Sequence, residues 1–285
     1  MKLKHFFDAR TSTLTYVVYD ENSRSALCID PVLDFDPASG KIWHESLEIL
    51  ESFLNQNKLR LEAILETHAH ADHLSGAQSL KKNHPHAVLC IGEKITAVQK
   101  TFIKILNLDF VRDDGSQFDR LLKDNEELSF GSIKINVLST PGHTSACCSY
   151  VIGDWVFCGD CIFMPDSGTG RADFPGGSAE QLYDSIQNKL YKLDDNKNLC
   201  VGHDYQPGGR DLQFSVTVAE QKNKNIQLKS STSREDFLAF RKNRDLQLSA
   251  PKLLWPSIQV NIDAGRLPKP TSSGMSYLKW PLFLE

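Results

Sequence analysis

Leu61-Glu62-Ala63-Ile64-Leu65-Glu66-Thr67 is an apolar run that leads directly into His68-Ala69-His70-Ala71-Asp72-His73. Three imidazoles and one carboxylate therefore fall within six positions at the end of a predicted strand. These are ligand types that zinc, iron and manganese accept, and a loop at a strand end lets alternate side chains converge. A solvated polar turn is the alternative. A metal site is favoured because five of the nine histidines lie in this motif or in two later segments of similar character.

The later segments carry His143, Asp160 and His203, each just after a short apolar stretch. In an α/β sheet, loops at strand ends meet at one edge, so residues distant in sequence can form a single site there. A glycine immediately precedes each of the three, which fits a backbone that turns sharply and passes close to an ion. We therefore expect these residues to join the first motif.

This ordered set resembles the metallo-β-lactamase superfamily. The resemblance implies an α/β fold, the four-layer αββα sandwich, with the metals at one edge. We expect one domain over residues 1–285, with a core of about 13–205 and a C-terminal extension of about 206–285. The resemblance further implies that His68, His70 and His143 face one metal position, that Asp72, His73 and His203 face a second, and that Asp160 can bridge them.

Three further segments narrow the resemblance to the persulfide dioxygenase branch and its close bacterial relatives. They are Gly170-Arg171-Ala172-Asp173-Phe174, His203-Asp204-Tyr205, and a tail spanning 256–261 and 264–270. Enzymes of that branch oxidise glutathione persulfide to sulfite and glutathione with one non-haem iron.

The branch resemblance implies one Fe(II) per chain on His68, His143 and Asp160, and zinc could replace it in isolated protein. Two histidines and one aspartate on one side of the iron leave coordination positions free for a sulfur substrate and dioxygen on the same ion. Four residues would then orient these ligands or face a second metal position, namely His70, Asp72, His73 and His203. Arg171 and Tyr205 are expected to hold the glutathione part. Arg171 and Asp173 form either a structural or a substrate-facing pair.

Two other functions stay open. A hydrolase of the glyoxalase II kind would use two metals against acyl-glutathione thioesters, and all seven ligand residues are present. It is disfavoured because 233–248 predicts one helix followed by proline-punctuated coil, where glyoxalase II carries a helical substrate-binding domain. A non-catalytic sensor of metal or persulfide is disfavoured because every ligand position is intact.

Composition agrees with an ordinary soluble enzyme. The net charge of −4, from 32 basic and 36 acidic residues, argues against nucleic-acid and anionic-membrane partners. No apolar run approaches the roughly 20 residues that a bilayer crossing needs, and the first eight residues lack a signal-peptide core. We expect a cytoplasmic protein whose partners are glutathione persulfide and dioxygen; a homodimer is an assembly that the sequence allows.

The seven cysteines are an odd number and lie mostly within apolar strands. This pattern indicates buried thiols in a reducing compartment rather than a disulfide framework. Cys158-Gly159-Asp160-Cys161 has Cys-x-x-Cys spacing, so a redox pair or soft-metal site is an alternative there.

Hydrophobic periodicity predicts the elements around these motifs. Strands are expected at 13–19, 25–29, 61–66 and 87–91, with a hairpin over 127–138. Helices are expected at 43–55, 74–82, 93–106 and 179–191. Strands followed by helices, twice over, favour a layered α/β architecture.

Overall fold

The computed structural model describes residues 1–283, which contain fifteen strands and seven α-helices. The strands are β1 (Lys2–Asp8), β2 (Thr13–Tyr19), β3 (Ser25–Ile29), β4 (Val32–Asp36), β5 (Lys41–Trp43), β6 (Arg60–Leu65), β7 (Leu74–Ser75), β8 (Val88–Gly92), β9 (Arg120–Leu122), β10 (Glu127–Phe130), β11 (Ile133–Ser139), β12 (Cys148–Ile152), β13 (Trp155–Phe157), β14 (Asn198–Cys200) and β15 (Ser215–Thr217). The helices are α1 (Glu45–Gln56), α2 (Ala77–Asn83), α3 (Ile95–Leu106), α4 (Ala179–Asn188), α5 (Val218–Lys224), α6 (Arg234–Asp245) and α7 (Leu254–Asn261).

The strands form two six-stranded sheets and a small three-stranded one. The first sheet has the order β1-β2-β3-β6-β8-β9, antiparallel from β1 to β3 and parallel from β3 onward. The second runs β10-β11-β12-β13-β14-β15 and is antiparallel except between β13 and β14. Strands β5, β4 and β7 pair separately.

Successive side chains along strands of the first sheet such as β3 are apolar on both faces, which explains why the sheet is covered on both sides. In β3, Ala26 and Cys28 pack with the helices on one side, whereas Leu27 and Ile29 pack against the second sheet. Successive side chains of a strand point to opposite faces, so a continuous apolar run of this kind requires a layer on each side.

The helices complete four layers. Helices α1, α2, α3 and α7 contribute apolar side chains to the core on the outer face of the first sheet. Helices α4, α5 and α6 do the same on the outer face of the second. Tyr16, Ile135 and Tyr150 belong to the core between the sheets. The αββα sandwich expected from the sequence is therefore confirmed.

Two local predictions differ from the structure, and one strand was not predicted. Residues 74–82 were expected as one helix, but Leu74 and Ser75 pair with β4 as strand β7, and the helix begins at Ala77. Residues beyond 248 were expected as coil, but they contain α7, whose Ile258 and Val260 pack into the core of the first sheet. The first residues form β1, an edge strand paired with β2. These elements form through pairing or packing with residues distant in sequence, which local periodicity does not detect.

Within residues 1–283, no helix combines the length and the apolar character that crossing a membrane would require.

Candidate metal centre

Four loops bring the candidate ligands to one edge of the sandwich. His68 follows β6, His143 follows β11, Asp160 follows β13 and His203 follows β14. A backbone hydrogen bond joins the last two of these loops, in which the Gly202 amide donates to the Gly159 carbonyl at 3.1 Å. The expectation that strand ends would assemble residues distant in sequence agrees with this geometry.

The ligand atoms fall into overlapping groups, each within 4.8 Å. One contains His68, His143 and Asp160, and another contains Asp72, Asp160 and His203. Asp160 belongs to both because its two oxygens face different ways: Oδ2 lies 3.7 Å from His143 Nε2, and Oδ1 lies 3.3 Å from His203 Nε2. Asp160 therefore lies between the two groups, at the position where the resemblance implies a bridging ligand.

His70 does not cluster with His68 and His143, contrary to what the resemblance implied. Its ligand atoms cluster with Asp72 and His73, and separately with Asp30 and Glu66, while the His68–His143–Asp160 group does not include it. His70 Nε2 lies 3.1 Å from both Asp30 Oδ1 and Glu66 Oε2. Burial lowers the pKa of His70, but these two carboxylates outweigh it and raise the pKa well above its usual value.

Outer contacts fix the tautomers of three histidines. His143 Nδ1 donates to the Arg171 carbonyl at 2.8 Å, and His203 Nδ1 donates to the Ser12 carbonyl at 3.3 Å. The Thr67 hydroxyl donates to Asp30 Oδ2, so its oxygen accepts from His68 Nδ1 at 3.0 Å. Because each Nδ1 carries the hydrogen, each Nε2 keeps a lone pair for a metal.

The electrostatics of His68 and Asp72 match this assignment. Burial and the neighbouring His70 and His143 hold the pKa of His68 well below its usual value, which keeps the imidazole neutral and able to bind a metal. Burial raises the pKa of Asp72, but His203 and His73 more than compensate and hold it well below its usual value. Neutral imidazoles and ionised carboxylates are the forms that coordinate divalent ions. Burial lowers the pKa of His203, but the Asp160 and Asp72 carboxylates outweigh it and raise that pKa.

Unpartnered buried atoms show that the residues fit a metal. In the described part of the chain, His68 Nε2, His70 Nδ1, His73 Nε2 and Asp160 Oδ1 are buried without a hydrogen-bond partner. Leaving such groups unsatisfied is costly, and native proteins rarely do so without a reason. Four of them at one sheet edge, all of ligand type, fit a metal centre.

Glycines let these loops approach closely. Gly142 has φ +143°, and a Cβ there would lie 2.4 Å from Leu182 Cα. A Cβ on Gly202 would lie 2.7 Å from Asp160 Oδ1. Each position excludes any larger residue, as the glycines in the sequence indicated.

A cleft of about 360 Å³ opens over the site. Its walls include Asp72, His143, Asp160, Phe163, Phe174 and Leu248, and three arginines, Arg171, Arg241 and Arg244. The C-terminal extension supplies two of these arginines and Leu248. The cleft therefore offers metal ligands at one wall and cationic and apolar groups at the others, which suits an anionic substrate.

Arg171 and Tyr205, the expected substrate contacts, both line this cleft. The Arg171 guanidinium is held by Asp173 at 2.6 and 2.7 Å and by the Ser249 carbonyl at 2.7 Å. The pair foreseen with Asp173 thus forms, and the Arg171 carbonyl orients His143. Tyr205 is exposed and stacks on His203, with ring centroids 5.7 Å apart and planes at 10°.

The cysteines give little support to a redox pair. All seven are free and buried. Burial raises the pKa of both the Cys158 and Cys161 thiols well above the usual value. A reactive cysteine needs thiolate character and access, and these thiols lie in the core beneath the second sheet.

Several residues around the site were missed from the sequence. Asp30 and Glu66 hold His70, and Thr67 links Asp30 to His68. Glu66 and Thr67 directly precede the histidine motif, and their polarity at the end of an apolar strand was a usable signal. Arg241 and Asn261 lie far along the chain in helices. Asn261 falls in the tail segment 256–261 that carried the resemblance, but no local pattern assigns either residue a contact with the site.

Comparisons with known proteins match the chain to one protein superfamily. A sequence model described as the Metallo-beta-lactamase superfamily matches residues 10–203. The chain is 45% identical to "Glyoxylase B2" of Dictyostelium discoideum, over 99% of this chain and 97% of that protein. It is 46% identical to a "Beta-lactamase hydrolase-like protein" of Xylella fastidiosa (strain Temecula1 / ATCC 700964), of whose length it spans 64%.

Similarity also extends to persulfide dioxygenases. "Persulfide dioxygenase ETHE1, mitochondrial" of Homo sapiens is 29% identical, over 92% of this chain and 88% of that protein. The crystal structure of ETHE1 from Myxococcus xanthus superposes with a TM-score of 0.75 at 30% identity, covering 93% of this chain and all of that one.

Proposed function

The chain belongs to the metallo-β-lactamase superfamily, and on that premise we propose that it oxidises glutathione persulfide to sulfite and glutathione, with one Fe(II) per chain. The observation that carries the proposal is the compact group of His68, His143 and Asp160. Two histidines and one carboxylate with open positions are typical of non-haem iron oxygenases. The similarity to persulfide dioxygenases over nearly the whole chain supports the same function.

When bound, Fe(II) would supply a redox-active centre at which both reactants can meet without the orientational cost of a free encounter. Burial keeps the His68 imidazole neutral, and the Nδ1 contacts of His68 and His143 leave their Nε2 atoms free to face that centre. Asp160 supplies the carboxylate, and Gly202 keeps the space beside it open. His70, Asp72, His73 and His203 orient this group or face a second position.

The cleft walls suit glutathione. At neutral pH its two carboxylates are ionised, and the exposed Arg244 guanidinium at the wall is a suitable partner. Tyr205 offers a phenol and an aromatic face beside His203. Arg171, already held by Asp173, has N–H donors left on its guanidinium for the substrate.

A glyoxalase-like thioesterase is the second candidate, and two observations favour it. Asp72, Asp160 and His203 form a further ligand group that could hold another metal. A relative with 45% identity carries the name Glyoxylase B2. In addition, the C-terminal region contains α5, α6 and α7, so a scarcity of helix no longer counts against a hydrolase.

Oxygen uptake should separate the two functions. We expect iron-loaded protein to consume one dioxygen and one water per glutathione persulfide, and to release one sulfite, one glutathione and two protons. Acyl-glutathione should be hydrolysed slowly or not at all. An oxygen electrode with sulfite quantification on one preparation makes the measurement. Rapid thioester hydrolysis with no oxygen uptake by the iron-loaded protein would refute the dioxygenase.

Asp72→Ala tests the second metal position. Asp72 Oδ2 lies 3.1 Å from His203 Nε2, and this carboxylate is absent from the His68–His143–Asp160 group. A single-iron dioxygenase should keep close to one metal per chain and a measurable rate, lowered about 10- to 100-fold. A binuclear hydrolase should lose both metal and rate steeply, because its second ion shares the attacking hydroxide.

Metal stoichiometry and turnover should be read on the same preparation of Asp72→Ala. The exposed Asp109 provides a control, and Asp109→Ala should match the parent in both. Two metals in the parent, one in Asp72→Ala and no remaining turnover would favour the hydrolase.

The proposed setting is the cytoplasm. Seven buried free thiols support a reducing compartment, and the net charge of −4 gives no reason to expect a nucleic-acid partner. A single domain is supported by α7, which packs into the core of the first sheet. The homodimer stays a prediction, which sedimentation analysis would check.

A further inference from the structure

The last helix reaches back to the histidine motif. Helix α7 lies beyond residues 10–203, which the family model matches, yet its final residue contacts the loop that carries the ligands. Asn261 Nδ2 donates to the carbonyl oxygens of His70 and His73, each at 2.8 Å. Asn261 Oδ1 accepts from the Ser75 amide at 2.8 Å. Both amide hydrogens and the carbonyl of this side chain are thus directed at one loop.

That loop needs such a partner. Residues 68–73 belong to no helix or strand, so no ladder satisfies their backbone groups. His70 and His73 are buried, which also removes water as an acceptable partner for their carbonyls. The three bonds from Asn261 bracket Asp72 and His73, and they fix the path of the chain between His70 and Ser75.

Helix α7 is firmly anchored. Ile258, Val260 and Ile262 pack into the core on the outer face of the first sheet. Gln99, on α3, donates to the Ile262 carbonyl at 2.8 Å. Asn261 itself is only 4% exposed. Its amide is therefore held from a rigid element and not from a mobile tail, as a group that positions a metal loop must be.

We infer that Asn261 is a positioning residue of the metal centre, which holds the 68–73 loop in its metal-binding geometry. The C-terminal extension is then part of the centre and not an accessory to it. The inference rests on the metal binding in the proposed function, but it is independent of which reaction follows.

Gln259 provides a matched control on the same helix. It is equally buried, and its side-chain amide also makes three hydrogen bonds to backbone groups. Nε2 donates to the Trp255 and Lys279 carbonyls, and Oε1 accepts from the Lys279 amide at 2.9 Å. These bonds secure the tail, and none of them reaches the histidine loop.

The test compares Asn261→Asp with Gln259→Glu in the full chain. Each replaces an amide donor by an oxygen facing two carbonyls, so both should lower the thermal midpoint of the metal-free protein. Zn²⁺ affinity, measured by competition with a chelator, should fall about 10- to 100-fold in Asn261→Asp only. Asn261→Ser introduces a smaller, uncharged side chain and should show the same selective loss of Zn²⁺ affinity. It replaces Asn261→Asp in the comparison if that variant does not fold.

Folded Asn261 variants that bind Zn²⁺ as tightly as Gln259→Glu would overturn the inference. So would failure of both Asn261 variants to fold while Gln259→Glu folds, because Asn261 would then be a determinant of folding. A parent protein that binds Zn²⁺ but shows no oxygen uptake when iron-loaded would contradict only the proposed function. Oxygen uptake in the parent, with unchanged Zn²⁺ affinity in the Asn261 variants, would contradict only this inference.

Discussion

His143→Ala is expected to remove most of the bound metal and all measurable turnover. His143 supplies one of three clustered ligand groups, and its Nε2 faces Asp160 Oδ2 at 3.7 Å. Losing a direct ligand should weaken binding by more than the roughly 10- to 100-fold that loss of an outer partner costs. Elemental analysis and oxygen uptake on iron-grown protein make the measurement.

The control for this variant is His86→Ala. His86 is exposed and lies beside Pro85, outside every ligand group found among the described residues. It should keep the parent's metal content and rate. Retained iron and activity in His143→Ala would show that the ligand assignment is wrong, whichever reaction the protein catalyses.

The candidate ligand residues could be selected from the sequence because each stands in a short motif at the end of an apolar strand. The motif 68–73 puts four ligand types in six positions, and His143, Asp160 and His203 each stand where an apolar strand ends. Hydrophobic periodicity likewise predicted strands such as 25–29, and the cores on both faces of β3 explain why that strand is apolar throughout.

The residues that hold the ligand loops in place could not be predicted in the same way. Asn261 contacts residues more than 180 positions earlier in the chain, and only the packing of α7 brings it there. The tail segment 256–261 contributed to the family resemblance, but no local pattern assigns Asn261 a contact with the histidine motif. The same holds for β7, which exists because Leu74 and Ser75 pair with a distant strand.

Arg241 is a second long-range support, and it secures the other side of the site. This buried guanidinium pairs with Asp245 at 2.7 Å and donates to the Gln227 side chain at 3.0 Å. Asp245 Oδ2 in turn accepts from the Ala172 amide at 3.1 Å. The pair therefore clamps the segment whose Arg171 carbonyl accepts from His143 Nδ1.

Arg241→Met is expected to lower the free energy of unfolding by about 3–5 kcal/mol, because it leaves the Asp245 carboxylate buried without its partner. Arg241→Met combined with Asp245→Asn should recover part of that loss, since the amide keeps an acceptor for the Ala172 backbone and removes the uncompensated charge. Urea denaturation of the metal-free proteins, with linear extrapolation, measures both.

Arg234→Met is the matched control on α6. Arg234 lies 3.9 Å from Asp184, with both side chains about half exposed, so solvent screens the pair and the loss should stay within about 1 kcal/mol. If Arg241→Met also lowered the free energy of unfolding by no more than about 1 kcal/mol, water would have to reach Asp245. The Arg241–Asp245 pair would then not stabilise the segment that carries Arg171. If the loss in Arg241→Met is severe and metal affinity falls with it, the orientation of His143 depends on a helix outside residues 10–203, which the family model matches.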